Sequence, residues 1–315
     1  MLQPLLQHLA QHKPVTAEAW QGWQIEPVHG GSNGLVYHIS GSDESFAVKF
    51  TLRDSRNRAM REYQALCALA DARLDIAPKP ILLDTDHYEQ DVVVQTWLAG
   101  DVIQAPPNND DDWHRLIVHL AAIHSLTPPK TQVELDRAIL NAPSAADSIA
   151  LARWQASQLP EPPVELQQLF RQLEQANWPE WSAPAPALCR TDPNILNFIR
   201  RSPNWASVDW ENSGWGDPAF EIADLMIHPA YMDVDADRWE WVIATYCQHT
   251  NDADAEQRIR TYYPILAVWW VARLARYLYE IPNGLDQRLI ERPADWQQST
   301  QMKFEHYVRL AQRLL

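Results

Sequence analysis

Asp192 and Asn197 stand five residues apart in Asp192-Pro-Asn-Ile-Leu-Asn197, a polar stretch between the apolar runs Ala187-Leu188-Cys189 and Phe198-Ile199. Asp209 lies seventeen residues beyond Asp192, at the end of the short run Ala206-Ser207-Val208. A carboxylate, a carboxamide and a second carboxylate form the set that phosphoryl transfer from ATP requires. One group accepts or orients the proton of the attacking hydroxyl, and two oxygen ligands hold Mg²⁺ on the phosphates. Asp192 is the candidate base, and Asn197 and Asp209 are the candidate metal ligands. A strand end would hold Asp209 rigidly for a metal with strict octahedral geometry. Taken singly, each aspartate reads equally well as a turn or cap residue.

The upstream half of the chain turns two ordinary aspartates into parts of one site. Lys49 falls in the middle of the β-like run Phe46-Ala-Val-Lys-Phe50, where an ammonium is expensive to bury without a partner. Glu62, the only acidic residue between Asp54 and Asp71, is the natural partner, on the helix that follows. A kinase uses such a lysine to hold the α and β phosphates while the helix glutamate orients it. Ahead of them, Gly30, Gly31, Ser32, Asn33 and Gly34 make a turn before a strand, and backbone amides there could cap phosphates. A glycine hairpin turn would look identical. The pattern GxxxxGK[ST] is absent, which excludes a P-loop enzyme.

These groups must be positioned by an α+β chain. Between Trp23 and Trp97, short β-branched or aromatic runs (34–39, 45–51, 80–83 and 92–97) alternate with turn residues. One helix near 55–72 interrupts them, with Ala59, Tyr63, Leu66, Cys67 and Ala70 on one face. A short amphipathic helix over 1–13 precedes them. After Gly100 the periodicity is helical, predicting helices near 111–126, 145–158, 164–176, 236–249, 255–280 and 294–315, the fifth broken or kinked at Pro264. The expected architecture is therefore a small antiparallel sheet with a helix in residues 1–98, and a larger, mostly helical catalytic and acceptor-binding lobe in residues 99–315.

Composition bounds the partners. A net charge of −15 over 315 residues opposes nucleic acid and anionic membranes, which need clustered Lys and Arg. Cys67, Cys189 and Cys247 are scattered and lack a CxxC pair, so neither a disulfide framework nor a zinc site is expected, and a reducing cytoplasm fits. The start of the chain is not a secretion signal. The longest apolar stretch, 265–272, is too short to span a bilayer and should be a buried helix.

The arrangement resembles the aminoglycoside phosphotransferase and choline kinase family of protein-kinase-like folds, over nearly the whole chain. Arg190-Thr-Asp-Pro-Asn-Ile-Leu-Asn197 is similar to the family's catalytic loop, HGDxxxxN, and Val208-Asp-Trp-Glu-Asn-Ser-Gly-Trp-Gly-Asp-Pro218 to its IDWE…GDP segment. Val92-Val-Val-Gln-Thr-Trp-Leu-Ala-Gly100 resembles the family's hinge, which implies that the backbones of Thr96 and Leu98 meet adenine. Ala121-Ala-Ile-His-Ser-Leu126 resembles a family helix end, with His124 as a packing residue. Arg190 departs from the family's His, and its guanidinium could substitute by donating to nearby carbonyls or to Asp209.

The implied activity is an ATP- and Mg²⁺-dependent kinase acting on a hydroxyl of a small molecule. The helical region mixes acids and indoles (Asp233, Asp235, Asp237, Trp239, Glu240, Trp241, Trp269, Trp270, Tyr277, Glu280), which would suit a cationic, aminoglycoside-like or choline-like acceptor. Core packing and a solvated helix start explain the same residues. Glu211, beside Asp209, is a further candidate for holding the acceptor. The alternative, motivated by Arg190, is a catalytically weak nucleotide-binding pseudokinase acting as an interaction module. A protein kinase is disfavoured because no DFG or APE pattern follows Asp209.

Overall fold

The computed structural model describes residues 2–28, 34–285 and 292–315. Residues 18–96 hold an antiparallel sheet with strand order β1-β2-β3-β4-β6-β5. The strands are β1 (Glu18–Trp20), β2 (Trp23–Val28), β3 (Gly34–Ser40), β4 (Ser45–Thr51), β5 (Pro80–Asp84) and β6 (Asp91–Thr96). The three-residue β1 and the strand β2 extend the sheet beyond the four runs legible in the sequence. Helix α1 (Leu2–His12) lays Leu5, Leu6 and Leu9 on one sheet face, against Ile39, Val48, Phe50 and Val94.

Strand alternation decides where Lys49 goes. Phe46, Val48 and Phe50 face α1, so Ala47, Lys49 and Thr51 take the opposite face. That face meets helix α2 (Arg58–Asp71). The buried side of α2 is Ala59, Glu62, Ala65, Leu66 and Leu69, while Ala70 is exposed and Tyr63 and Cys67 are half-buried. The expected face is thus rotated by about one residue. Ala65, Leu66 and Leu69 join the large helical core rather than the α1 core, so α2 is buried from two sides. Gly34 opens β3 so close to its neighbour that a Cβ would lie 2.4 Å from the Phe50 carbonyl oxygen.

The chain leaves the sheet through Trp97–Gly100 and at once forms β7 (Asp101–Val102), which pairs with β9 (Phe198–Arg200). Gly100, at φ +147°, runs against Ile199 and Arg200, where a Cβ would come within 2.7 Å of the Arg200 carbonyl oxygen. The remaining helices are α3 (Asp110–His124), α4 (Ala145–Ser157), α5 (Val164–Gln175), α6 (Pro218–Ile227), α7 (Ala236–His249), α8 (Ala255–Glu280) and α9 (Trp296–Leu314). Helix α8 runs unbroken through Pro264, and its segment 265–272 is core except for half-buried Trp270. Helix α6, absent from the expected list, starts where Asp217 caps it and Pro218 occupies its first turn. Short strands β8 (Ala187–Cys189), β10 (Ala206–Ser207) and β11 (Gly214–Gly216) complete the scaffold, β8 pairing with β11 and β9 with β10. Cys67, Cys189 and Cys247 are free thiols. Among the described residues, no helix is long and apolar enough to cross a membrane.

The start of α6 is also the anchor of α8. Asp217 Oδ1 accepts from the Ala219 amide, and the same buried carboxylate receives Arg258 Nε at 2.9 Å, Arg258 Nη2 at 3.0 Å and the Tyr262 hydroxyl at 3.0 Å. Loss of a helix cap alone costs about 1 kcal/mol, whereas breaking a buried ion pair costs about 3–5 kcal/mol. Asp217→Ala is expected to fall in the second range in chemical denaturation. A loss near the first would show that Asp252, the other partner of Arg258, suffices for the guanidinium.

Candidate active site

The loop bearing Asp192 and Asn197 joins β8 to β9, and Asp209 follows β10, so the β9–β10 hairpin folds Asp209 back beside the loop. The Val208 amide donates to the Asn197 carbonyl at 2.9 Å, closing that approach. Thr191 at φ 54° and Asp209 at φ 64° both occupy the left-handed region, which non-glycine residues enter at a cost. Surrounding bonds hold them there. Glu221 of α6 accepts the amide protons of Arg190 (2.9 Å) and Thr191 (3.2 Å), and the Thr191 hydroxyl donates to the Asn212 carbonyl at 3.0 Å. Glu221 is itself bonded to His124 Nε2 at 3.0 Å, whose Nδ1 meets the Tyr246 hydroxyl at 2.8 Å. His124 is therefore a packing and orienting residue, as its place in the sequence implies.

Lys49 reaches across to this loop from β4. Its ammonium donates to Glu62 at 2.7 and 3.0 Å and to Asp209 Oδ1 at 2.7 Å, joining carboxylates from α2 and from the β10 end. Burial alone would lower the lysine, but Asp209 and then Glu62 hold it well above its ordinary value. Burial would likewise raise Asp209, yet Lys49 keeps it below the usual carboxylate range. Glu62, wholly enclosed, is raised by burial, with Lys49 offsetting only part of that effect. Lys49, Glu62 and Asp209 are thus brought together, with Asp192 and Asn197 beside them.

Asp192 is half-buried and accepts from the Asn194 amide at 3.2 Å. Enclosure raises its carboxyl, Arg190 opposes this, and Asp209 adds to it. Two carboxylates that repel each other beside a carboxamide offer hard oxygen donors with charge to spare, a set that fits Mg²⁺. Nδ2 of Asn197 is buried and lacks a hydrogen-bond partner among the described residues.

Arg190 is fully buried, with its guanidinium over the Phe198 ring at 4.8 Å. Nη1 donates to the Val208 carbonyl at 3.3 Å, one of the two substitutes the sequence suggested, while no hydrogen bond to Asp209 forms. Nε and Nη2 have no partner among the described residues. The charge nevertheless pulls down Asp192, Asp209 and Glu221 together.

Other expected residues fall differently. Gly30, Gly31, Ser32 and Asn33 lie outside the described residues. The Thr96 amide already donates to the Lys79 carbonyl at 2.9 Å, so of its two backbone groups only the carbonyl is a candidate for a ligand; Leu98 lies two residues past the strand. Glu211 turns to Arg58 of α2 and does not line the cavity beside Asp192. Burial and the adjacent Asp209 push it up to about 7, against Lys49 and Arg58. That cavity, about 750 Å³, is lined by Asp192, Asp224, His228, Trp269, Trp270 and Arg273, among others. Of the acid-and-indole series only Trp269, Trp270, Tyr277 and Glu280 line it. Trp239 packs against Trp113 and Tyr231, and Glu240 pairs with Arg260.

Sequence reasoning missed Glu221, Asp224, His228 and Arg58. The signal for the first two was an apolar run, Pro218-Ala-Phe-Glu-Ile-Ala-Asp-Leu-Met-Ile227, carrying two acids that a buried helix cannot leave in water.

Solved structures with this fold extend along the full chain. A choline/ethanolamine kinase family protein from Mesorhizobium loti superposes with a TM-score of 0.64 at 17% identity, covering 100% of this chain and 95% of its own. A choline kinase from Streptococcus pneumoniae gives 0.60 at 15% identity, with 98% of each chain covered. A spectinomycin phosphotransferase in complex with ADP and spectinomycin gives 0.64 at 12% identity, with 98% of each chain covered. No curated protein matches the sequence. The model of the phosphotransferase enzyme family matches residues 24–262, and the chain belongs to that family.

Proposed function

We propose that this phosphotransferase moves the γ-phosphate of ATP to a hydroxyl of a small molecule, inside the cell. The observation that carries the reading is the Lys49 ammonium held at 2.7 Å from both Glu62 and Asp209, since a buried lysine shared by two carboxylates is placed to receive phosphate oxygens. Residues 1–98 bind the nucleotide and residues 99–315 the acceptor. Lys49, fixed by Glu62, takes the α and β phosphates. The Leu98 amide and the Thr96 carbonyl meet adenine, and the turn Gly30-Gly31-Ser32-Asn33-Gly34 covers the phosphates with backbone amides. Asn197 and Asp209 hold Mg²⁺, which when bound neutralises charge on the phosphates and aligns them. Asp192 orients the acceptor hydroxyl and takes its proton as the oxygen attacks phosphorus.

Purified protein given Mg-ATP should release ADP in response to an acceptor drawn from aminoglycosides, choline, ethanolamine, thiamine, sugars and sugar alcohols, with GTP run alongside. Asp192→Asn should lower that turnover by about 10²–10⁴-fold, the usual worth of a positioned acid–base group. Nucleotide binding without turnover on any acceptor would favour the pseudokinase.

Arg190 supports the reading in a different way. Asp192 works ionised, and the guanidinium opposes the burial that would protonate it. Arg190→Met should therefore move the acidic limb of the pH–rate profile to higher pH. Its melting temperature should fall, because the buried carboxylates of Asp192, Asp209 and Glu221 lose the cation that offsets their enclosure. An unmoved limb would mean that Arg190 serves the loop's packing alone.

A further inference from the structure

Asp224 and His228 lie one helical turn apart, at the end of α6 and just past it, and both line the cavity that contains Asp192. Asp224 is 2% exposed, and its Oδ1 has no hydrogen-bond partner among the described residues. A buried carboxyl oxygen without a partner is destabilising, and a group bound in the cavity would satisfy it. His228 Nδ1 accepts the Ala230 amide proton at 3.2 Å, which leaves the ring proton on Nε2. That N–H has no protein partner among the described residues, so the pair offers the cavity a carboxyl oxygen and an imidazole donor side by side.

The charge around the pair argues against a cation. Arg56, Arg58, Arg273 and Arg276 line the same cavity and offset its carboxylates, Asp54 and Glu280 by direct ion pairs, so no excess of negative charge is left to hold a cation. Burial lowers Arg56, and Arg58 and Arg273 add to this against Asp54 and Glu211. Of the acids that suggested a cationic acceptor, Asp233, Asp235, Asp237 and Glu240 do not line the cavity, and Glu280, which does, is paired with Arg276. Burial, then Glu221 and Asp192, raise Asp224 well above the usual carboxylate range, with Arg190 opposing, and burial first lowers His228 to about 3. At neutral pH His228 is a neutral imidazole, and its enclosure favours the uncharged form of Asp224.

We propose that Asp224 and His228 are the specificity pair of the acceptor site, and that the acceptor is a neutral polyhydroxylated molecule, a sugar or polyol. The inference rests on the phosphotransfer reading above. One hydroxyl lies at Asp192 and is phosphorylated; its neighbours exchange hydrogen bonds with the Asp224 carboxyl and the His228 Nε2–H. Trp269 and Trp270 supply flat apolar walls of the kind that pack against the C–H face of a sugar ring.

The test is steady-state ADP release with Mg-ATP and a panel of neutral sugars and sugar alcohols set against choline, ethanolamine and aminoglycosides, for the wild type, Asp224→Asn, Asp224→Leu and His228→Gln. Mg-ATP affinity and melting temperature report folding. The expected result is turnover on a neutral polyol, with Asp224→Leu and His228→Gln raising KM at least about 10-fold and kcat changed less. Asp224→Asn, a neutral group of the same shape, should recover most of the loss seen with Leu. A cation held by a carboxylate would be lost equally with Asn and Leu. Turnover confined to the cationic acceptors, or a polyol KM that Asp224→Leu leaves unmoved, would overturn this inference and leave the phosphotransfer reading standing. Mg-ATP binding with no turnover on any acceptor would overturn both.

Discussion

One ammonium shared by two carboxylates sets the terms for the rest of the molecule. Lys49 can be buried only because Glu62 and Asp209 reach it, and those carboxylates can be enclosed only because Lys49 is there. The contact spans 160 residues of sequence, so strand alternation in β4, the rotation of α2 and the return of the β9–β10 hairpin must all be right at once. Burial penalises all three groups, and the arrangement survives because each loss is offset by a close partner. In the proposed mechanism the same imbalance is useful. A site with more carboxylate than ammonium has charge to give a divalent cation, and the lysine can turn part of its hydrogen bonding to phosphate.

The second constraint is the loop backbone. Two residues in left-handed conformations flank the chemistry, and neither is glycine. The cost at Thr191 is met by the chain Tyr246, His124, Glu221 and the amides of Arg190 and Thr191, every member buried or nearly so, and Asp209 is held by Lys49. The helical region thus does more than line a cavity, because α3, α6 and α7 fix the Asp192 loop before any ligand arrives. Preorganisation of this kind keeps reacting groups near productive geometry at no cost during reaction.

Much of this was legible in the residues. Seven-residue alternation in β4, a lone glutamate in α2 and the Asp192, Asn197 and Asp209 spacing named the five groups that the fold brings together. Helices 236–249 and 255–280 follow from their 3.6-residue periodicity, and Pro264 fails to break the latter because packing on all sides outweighs a missing N–H. What sequence could not show was direction. The α2 face shifted by a residue because α2 packs between the sheet, at β5 and β6, and the helical core. Glu211 stands two residues from Asp209 yet turns to Arg58, since a tight turn sends neighbouring side chains to different walls. The acid-rich start of α7 looked like a binding surface, but Glu240 there pairs with Arg260, and Asp224, which meets the cavity, was hidden inside an apolar helix.

The claim that matters most is that Asp209 and Lys49 together hold a metal-bound nucleotide. Calorimetric titration of ATP, with and without Mg²⁺, into the wild type and Asp209→Asn tests it directly. The account predicts that Mg²⁺ tightens ATP binding at least about 10-fold in the wild type, a coupling of about 1.4 kcal/mol, and that Asp209→Asn abolishes the gain. ATP affinity in the wild type that is indifferent to Mg²⁺, or a gain that persists in Asp209→Asn, would contradict it.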